Sequence, residues 1–120
     1  MRTHESEETY LETIFVLSKK GGIVRSIDIA HELEYSRPSV SIAMKNLREK
    51  GHILMDEHNS ITLTDTGRKI AESVYEKHTL ITDWLCSIGV SKTVAEDDAC
   101  KMEHILSDES FRAIKKHLKG

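Results

Sequence analysis

A single proline, Pro38, stands in 120 residues, two positions after a serine suited to cap a helix. Proline is tolerated in a helix's first turn, where the N–H groups have no intrahelical acceptor anyway. Deeper in a helix it removes a hydrogen bond and clashes with the preceding turn. The rest of the chain carries no such block, so helices can run wherever apolar spacing supports them. Punctuation falls to Gly21-Gly22, Gly51 and Gly89. The expected fold class is mainly α.

Residues 5–19 carry Tyr10, Leu11, Ile14, Phe15 and Leu17 as an apolar stripe, with Glu5, Glu8 and Glu12 along another face. Ser26 is a suitable N-cap for a short helix bearing Ile27, Ile29, Ala30 and Leu33. A turn around Glu34-Tyr35 leads to a helix capped by Ser36, with Val40, Ile42, Ala43, Met44 and Leu47 as its apolar contacts. Residues 53–56 and 60–63 read as two short strands about a polar His58-Asn59-Ser60 turn. Helix, helix, turn, helix, hairpin is the order of a winged helix-turn-helix domain. A long helix from Thr64-Asp65 to Ser87 follows, with Ile70, Val74, Ile81, Leu85 and Ile88 on its stripe. Ser91 and Ser107 would cap two more helices. Trp84 and Tyr75 read as packing residues, and Cys86 as a small buried one.

The net charge of −3 hides an asymmetry. Residues 37–50 hold Arg37, Lys45, Arg48 and Lys50 against Glu49, which suits a phosphate backbone. Residues 93–110 hold Glu96, Asp97, Asp98, Glu103, Asp108 and Glu109 against Lys101, which suits a cation. With 31% charged and 38% hydrophobic residues the chain is of globular rather than disordered composition. Two cysteines make no disulfide framework. No leader pattern and no apolar run of ~18 residues is present, so no membrane partner and a cytoplasmic location are expected.

The helix from Arg37 to Lys50 is the candidate reader of a DNA major groove, where N-terminal side chains meet base edges. Ser36, Arg37, Pro38, Ser39 and Ser41 are the candidates there. Arg37 suits a bidentate contact to guanine or a phosphate clamp, and Lys45 and Arg48 suit backbone contacts. His58 and Asn59, at the hairpin tip, are placed for an adjacent groove or phosphate. The competing reading is a solvated helix face, or a winged helix used for protein docking.

The segment Cys100-x-x-Glu103-His104 is the richest in chemistry. If residues 92–106 are helical, positions i, i+3 and i+4 share a face, and thiol, carboxylate and imidazole come within reach of one ion. His78 falls on the apolar stripe between Val74 and Ile81, where an imidazole needs a partner. Glu12 offers a carboxylate from the first helix, and Glu96 and Asp97 lie near the cluster. Taken singly, each has an ordinary explanation as a core histidine, a buried thiol or a solvated acid. Together, mixed S, N and O donors suit Fe2+, Co2+, Ni2+ or Zn2+, and a carboxylate-rich set favours Mn2+.

These segments resemble the diphtheria-toxin-repressor family of metal-dependent transcription regulators, which includes the manganese transport regulators. Glu8-Thr9-Tyr10-Leu11-Glu12-Thr13-Ile14 is similar to its first helix. Asp28-Ile29-Ala30 with Ser36-Arg37-Pro38-Ser39-Val40-Ser41 is similar to its helix-turn-helix. Leu63-Thr64-Asp65-Thr66-Gly67-Arg68 is similar to the segment leaving the wing, and Ala99-Cys100-Lys101-Met102-Glu103-His104 with Ser107-Asp108-Glu109 is the closest match.

The resemblance implies a DNA-binding winged domain over residues 1–70 and a helical dimerisation and metal-binding domain over 71–120. It implies a homodimer, double-stranded operator DNA as partner, and metal ligands at Cys100, Glu103, His104 and a first-helix position, with His78 at a neighbouring metal position. That first-helix position falls on Thr9, whose hydroxyl is a poor transition-metal ligand, so Glu12, Glu8 or a water would replace it. Cysteine at Cys100 is the iron-type residue, whereas Glu12 matches the manganese type. The chain's end at Gly120 resembles the shorter, manganese-type arrangement.

The expected function is a metal-dependent repressor of metal homeostasis, not an enzyme, with a divalent ion as corepressor. A cation joining Glu12 to His78, Cys100, Glu103 and His104 would hold two recognition helices about 34 Å apart, one duplex turn. A winged-helix regulator answering to a small organic ligand is the main rival. A small metal-dependent hydrolase with Glu12 as base, or a Cys100–His104 nucleophilic enzyme, lacks a signal for a cleft or an oxyanion-stabilising loop.

Overall fold

The computed structural model describes residues 3–119. Among these the elements run α1 (Thr3–Lys19), α2 (Ser26–Leu33), α3 (Arg37–Glu49), β1 (Ile53–Met55), β2 (Ile61–Leu63), α4 (Asp65–Ser87), α5 (Lys92–Ile105) and α6 (Asp108–Lys119). The chain divides into two compact units at Glu72–Ser73, inside α4. No helix among the described residues is long and apolar enough to cross a membrane.

The first unit is the expected winged helix-turn-helix. Tyr10, Leu11 and Ile14 of α1 are buried with Ile29 and Ala30 of α2, Val40, Met44 and Leu47 of α3, and Ile53 and Ile61 of the hairpin. Each large aliphatic side chain so buried stabilises the unit by roughly 1.5–3 kcal/mol before entropy is counted. The turn between α2 and α3 is sharp because Glu34 adopts a left-handed conformation, φ 57° and ψ 39°, which lets the Tyr35 amide donate to the Ala30 carbonyl at 3.1 Å. Ser36 then caps α3, its Oγ accepting from the Ser39 amide at 3.3 Å, and Pro38 occupies the first turn.

Three local expectations are corrected. The N-cap of α2 is Arg25, not Ser26, and its backbone N–H donates to Asp28 Oδ2 at 2.9 Å. Asp28 thus reaches back from the third helical position and fixes the helix start one residue early. The strands pair antiparallel, Ile53 with Leu63 and Met55 with Ile61, but stop short of Asp56 and Ser60. Asp56 Oδ1 instead accepts from the amides of His58 (2.8 Å) and Ser60 (2.9 Å), and Asn59 turns through φ 62°. Those two hydrogen bonds, Ser60's first, hold the Asp56 carboxyl below the usual aspartate range. Ile42 is not a core residue but 63% exposed.

The second unit comprises the rest of α4 with α5 and α6. Val74 and Ile81 of α4, Ala95 and Ala99 of α5, and Phe111 of α6 are its buried apolar residues. Ser107 caps α6 by accepting from the Ser110 amide at 3.1 Å. Lys77 is buried, and its ammonium reaches the Leu106 carbonyl (3.4 Å) and Asp108 (3.3 Å) and lies over the Phe111 ring. This clip fastens α4 to the start of α6. Cys86, expected to be buried, is exposed near the end of α4.

Candidate metal centre and nucleic-acid face

Glu103 is the chemically exceptional residue of the second unit. Ala95, Ala99 and Glu103 recur at every fourth position of α5, so the helix's buried stripe begins with two methyl groups and ends in a carboxylate. Glu103 is 1% exposed. Its Oε1 lies 3.1 Å from His78 Nδ1 on α4, while its Oε2 is buried without a hydrogen-bond partner. Leaving one oxygen of a buried carboxylate unmatched is unfavourable, and native folds rarely tolerate it without a ligand or an ion.

The donor set fits a divalent cation. Two donors at about 2.1 Å from one ion and at right angles stand about 3.0 Å apart, close to the His78–Glu103 separation. An imidazole beside a carboxylate is chemistry shared by Mn2+, Fe2+, Co2+, Ni2+ and Zn2+. Cys100 and His104 stand on the same helix, the thiol exposed and the imidazole partly so. Among the described residues of this unit, no three of His78, Cys100, Glu103 and His104 bring ligand atoms within 4.8 Å of one another. In the first unit, Thr9 and Glu12 lie half-buried on α1, and the Thr9 carbonyl accepts from the Thr13 hydroxyl at 2.8 Å.

The first unit also carries the candidate nucleic-acid face. Ser36, Arg37, Pro38, Ser39, Ser41, Lys45 and Arg48 are all exposed on or beside α3. The Ser36 hydroxyl donates to Ser39 Oγ at 2.8 Å, so these two hydroxyls are already ordered at the helix start. Pro38, Ser41, Ile42 and Lys45 follow the i, i+3, i+4, i+7 pattern of one exposed face. Ile42 reads as one of the helix's apolar contacts, yet it lies about 200° around the helix from Val40 and well away from Met44 and Leu47. That periodicity is a signal that would have placed it outside. An exposed aliphatic between Ser41 and Lys45 suits contact with a thymine methyl. Arg25 is a second functional candidate that the sequence did not single out.

Both halves of the chain match models of one family. Residues 2–59 match the iron dependent repressor N-terminal DNA binding domain, and residues 64–120 match the iron dependent repressor metal binding and dimerisation domain. The chain belongs to the iron-dependent repressor family. It is 35% identical over 116 residues to the diphtheria toxin repressor of Corynebacterium diphtheriae, covering 96% of this chain and 51% of that protein. It is 34% identical over 108 residues to the transcriptional regulator MntR of Escherichia coli O157:H7, covering 90% of this chain and 70% of MntR. The solved structure of the manganese regulator SloR superposes with a TM-score of 0.84 at 30% identity, over 94% of this chain and 53% of that one. The chain thus spans about half the length of the diphtheria toxin repressor. Its relatives in this family are regulators of transcription rather than enzymes, which removes the hydrolase and thiol-nucleophile readings.

Proposed function

We propose that this chain is a transcription repressor that binds operator DNA as a homodimer when a divalent metal, Mn2+ or Fe2+, is bound. The observation that carries the reading is Glu103: a buried carboxylate with one unmatched oxygen beside an imidazole, inside a segment of the metal-binding and dimerisation family type. In this reading residues 1–70 bind DNA and residues 71–120 dimerise and hold metal. His78, Cys100, Glu103 and His104 are the ligands from the second part. Glu12 joins them from α1, on its match to a manganese-type ligand position, and Glu8 or a water stands in for the hydroxyl of Thr9.

These residues would hold the ion, and its positive charge would offset that of the carboxylates among them. Arg37, Ser39, Ser41 and Ile42 read base edges, Ser36 and Pro38 shape the start of that helix, and Lys45 and Arg48 meet phosphates. Ile88, Val94 and Ile105, large aliphatics more than half exposed or half exposed in the second unit, support a dimer surface there.

The test is DNA binding by fluorescence anisotropy, using duplexes selected from a random pool. Mn2+, Fe2+, Co2+, Ni2+ and Zn2+ are compared, each with and without chelator. At least tenfold tighter binding with one of these ions, reversed by chelator, is expected. Tight binding indifferent to chelator would instead favour an organic effector.

A further inference from the structure

The start of α2, the wing and the recognition helix enclose a groove of about 490 Å³. Arg25 and Arg37 line it with Ser41 and Asn59, over Ile27 and Met55. No carboxylate lines it among the described residues. Two guanidinium groups with two serines, Ser26 and Ser41, and an amide, and no acid, make a surface for an anion.

Arg25 also has a structural attachment. Its Nε donates to the His58 carbonyl at the wing tip, 3.3 Å away. The residue before it is tied to the same hairpin, because the Val24 carbonyl accepts from the Ile61 amide at 2.8 Å. Asp56 organises the wing turn from inside, through the amides of His58 and Ser60. The guanidinium of Arg25 adds to the field that favours ionised Asp56. Arg25 therefore grips the outer side of a turn that Asp56 closes from within. Asn59, in its left-handed conformation, is presented at that tip.

An arginine has five N–H donors in a planar fork, and Nε uses one of them. We propose that Arg25 is a DNA-contact residue that pins the wing tip through Nε and takes a backbone phosphate with its terminal nitrogens, in the groove it shares with Arg37 and Asn59. The inference rests on the DNA-reading proposal above and extends it to a residue outside the recognition helix. It makes the wing and that helix grip adjacent phosphates as one body, because a single side chain touches both the turn and the strand of DNA.

The test compares wild type, Arg25→Ala and Arg25→Lys in the metal-loaded full chain. The probes are a selected duplex and a random-sequence duplex, each titrated at several salt concentrations. Losing a phosphate contact should lower the slope of log K against log salt by about 0.9 per subunit, equally on both duplexes. Arg25→Ala is expected to show that drop, with binding weakened roughly tenfold at moderate salt. Arg25→Lys keeps the cation but not the fork. It should hold the wild-type slope while the His58 and Ser60 amides exchange faster. A wild-type slope in Arg25→Ala, whatever its affinity, would overturn the phosphate contact. Unchanged exchange in Arg25→Lys would overturn the pin. If wild type binds neither duplex with any divalent ion, the DNA-reading proposal fails and takes this one with it; wild-type binding with an unaltered alanine variant removes this inference alone.

Discussion

His78 Nδ1 and Glu103 Oε1 stand 3.1 Å apart across α4 and α5, and the second oxygen of Glu103 is enclosed by protein without a partner. On the proposed reading, a bound cation would satisfy that unmatched oxygen. Glu103→Gln removes the charge and keeps the shape. In chelator the variant should be at least as stable as wild type, by about 1 kcal/mol, because a buried charge is replaced by a neutral amide. That corresponds to a midpoint rise of roughly 3–6 °C for a chain between the small and mid-sized domain classes. Wild type should gain stability on adding Mn2+ and the variant should not. Thermal unfolding with chelator and with excess Mn2+ reads both effects, and an equal metal-induced rise in the two proteins would exclude Glu103 as a ligand.

Gly67 is fixed by proximity rather than by dihedral angle. A methyl group on its α-carbon would lie 2.0 Å from the His52 carbonyl oxygen, which is backbone and cannot swing aside. The two segments are already joined there. Thr64 N–H donates to the His52 carbonyl at 3.1 Å, and the Thr64 and Thr66 hydroxyls donate to the Gly51 carbonyl at 2.7 and 3.1 Å. Helix propensity alone predicts that Gly67→Ala stabilises by about 1 kcal/mol. The clash predicts the opposite sign, a loss of about 2–4 kcal/mol. Urea unfolding of the variant decides between them.

Asp56 gives the wing an acid limit. Its carboxyl is held below the usual aspartate range by the Ser60 and His58 amides, so the folded wing binds its proton less readily than the unfolded chain does. The contribution is complete above the usual aspartate range and is lost as pH falls through the depressed folded value. The His58 and Ser60 amide resonances should shift together as pH falls below the usual aspartate range. Asp56→Asn keeps an acceptor oxygen but cannot ionise, so its wing resonances should be flat over the same range. A wild-type wing equally indifferent to acid would contradict the assignment.

Helix order was legible because one proline and a few glycines leave little choice of boundary, and because Val40, Met44 and Leu47 repeat at helical spacing. Ser36 was legible as a cap because its hydroxyl serves its own helix. Arg25 was not, since its cap partner Asp28 is local but its grip on His58 crosses 33 positions. Glu103 stands out in the sequence for its neighbours Cys100 and His104, while its burial follows from the spacing of Ala95 and Ala99 on the same helix. Cys86 reads as buried on residue type, but its side chain is exposed near the end of α4. Residue types therefore announced the chemistry, while burial depended on what other helices bring against each position.

Metal and DNA must act on one another equally if the ion selects the DNA-competent dimer. An ion that tightens operator binding tenfold, about 1.4 kcal/mol, must itself be held tenfold more tightly when operator is present. The reciprocity follows from the closed binding cycle, whichever residues prove to hold the ion and the duplex. Isothermal titration of Mn2+ into the apo chain, alone and with saturating selected duplex, measures the second half of this cycle. His104→Ala should lower Mn2+ affinity in both titrations and shrink the difference between them. Arg37→Ala, remote from the metal ligands in sequence, should leave Mn2+ affinity without DNA unchanged while weakening operator binding at every Mn2+ concentration. Equal Mn2+ affinity with and without duplex, in a protein whose DNA binding still depends on Mn2+, would violate the cycle and require the ion to act by another route, such as assembling the dimer from monomers.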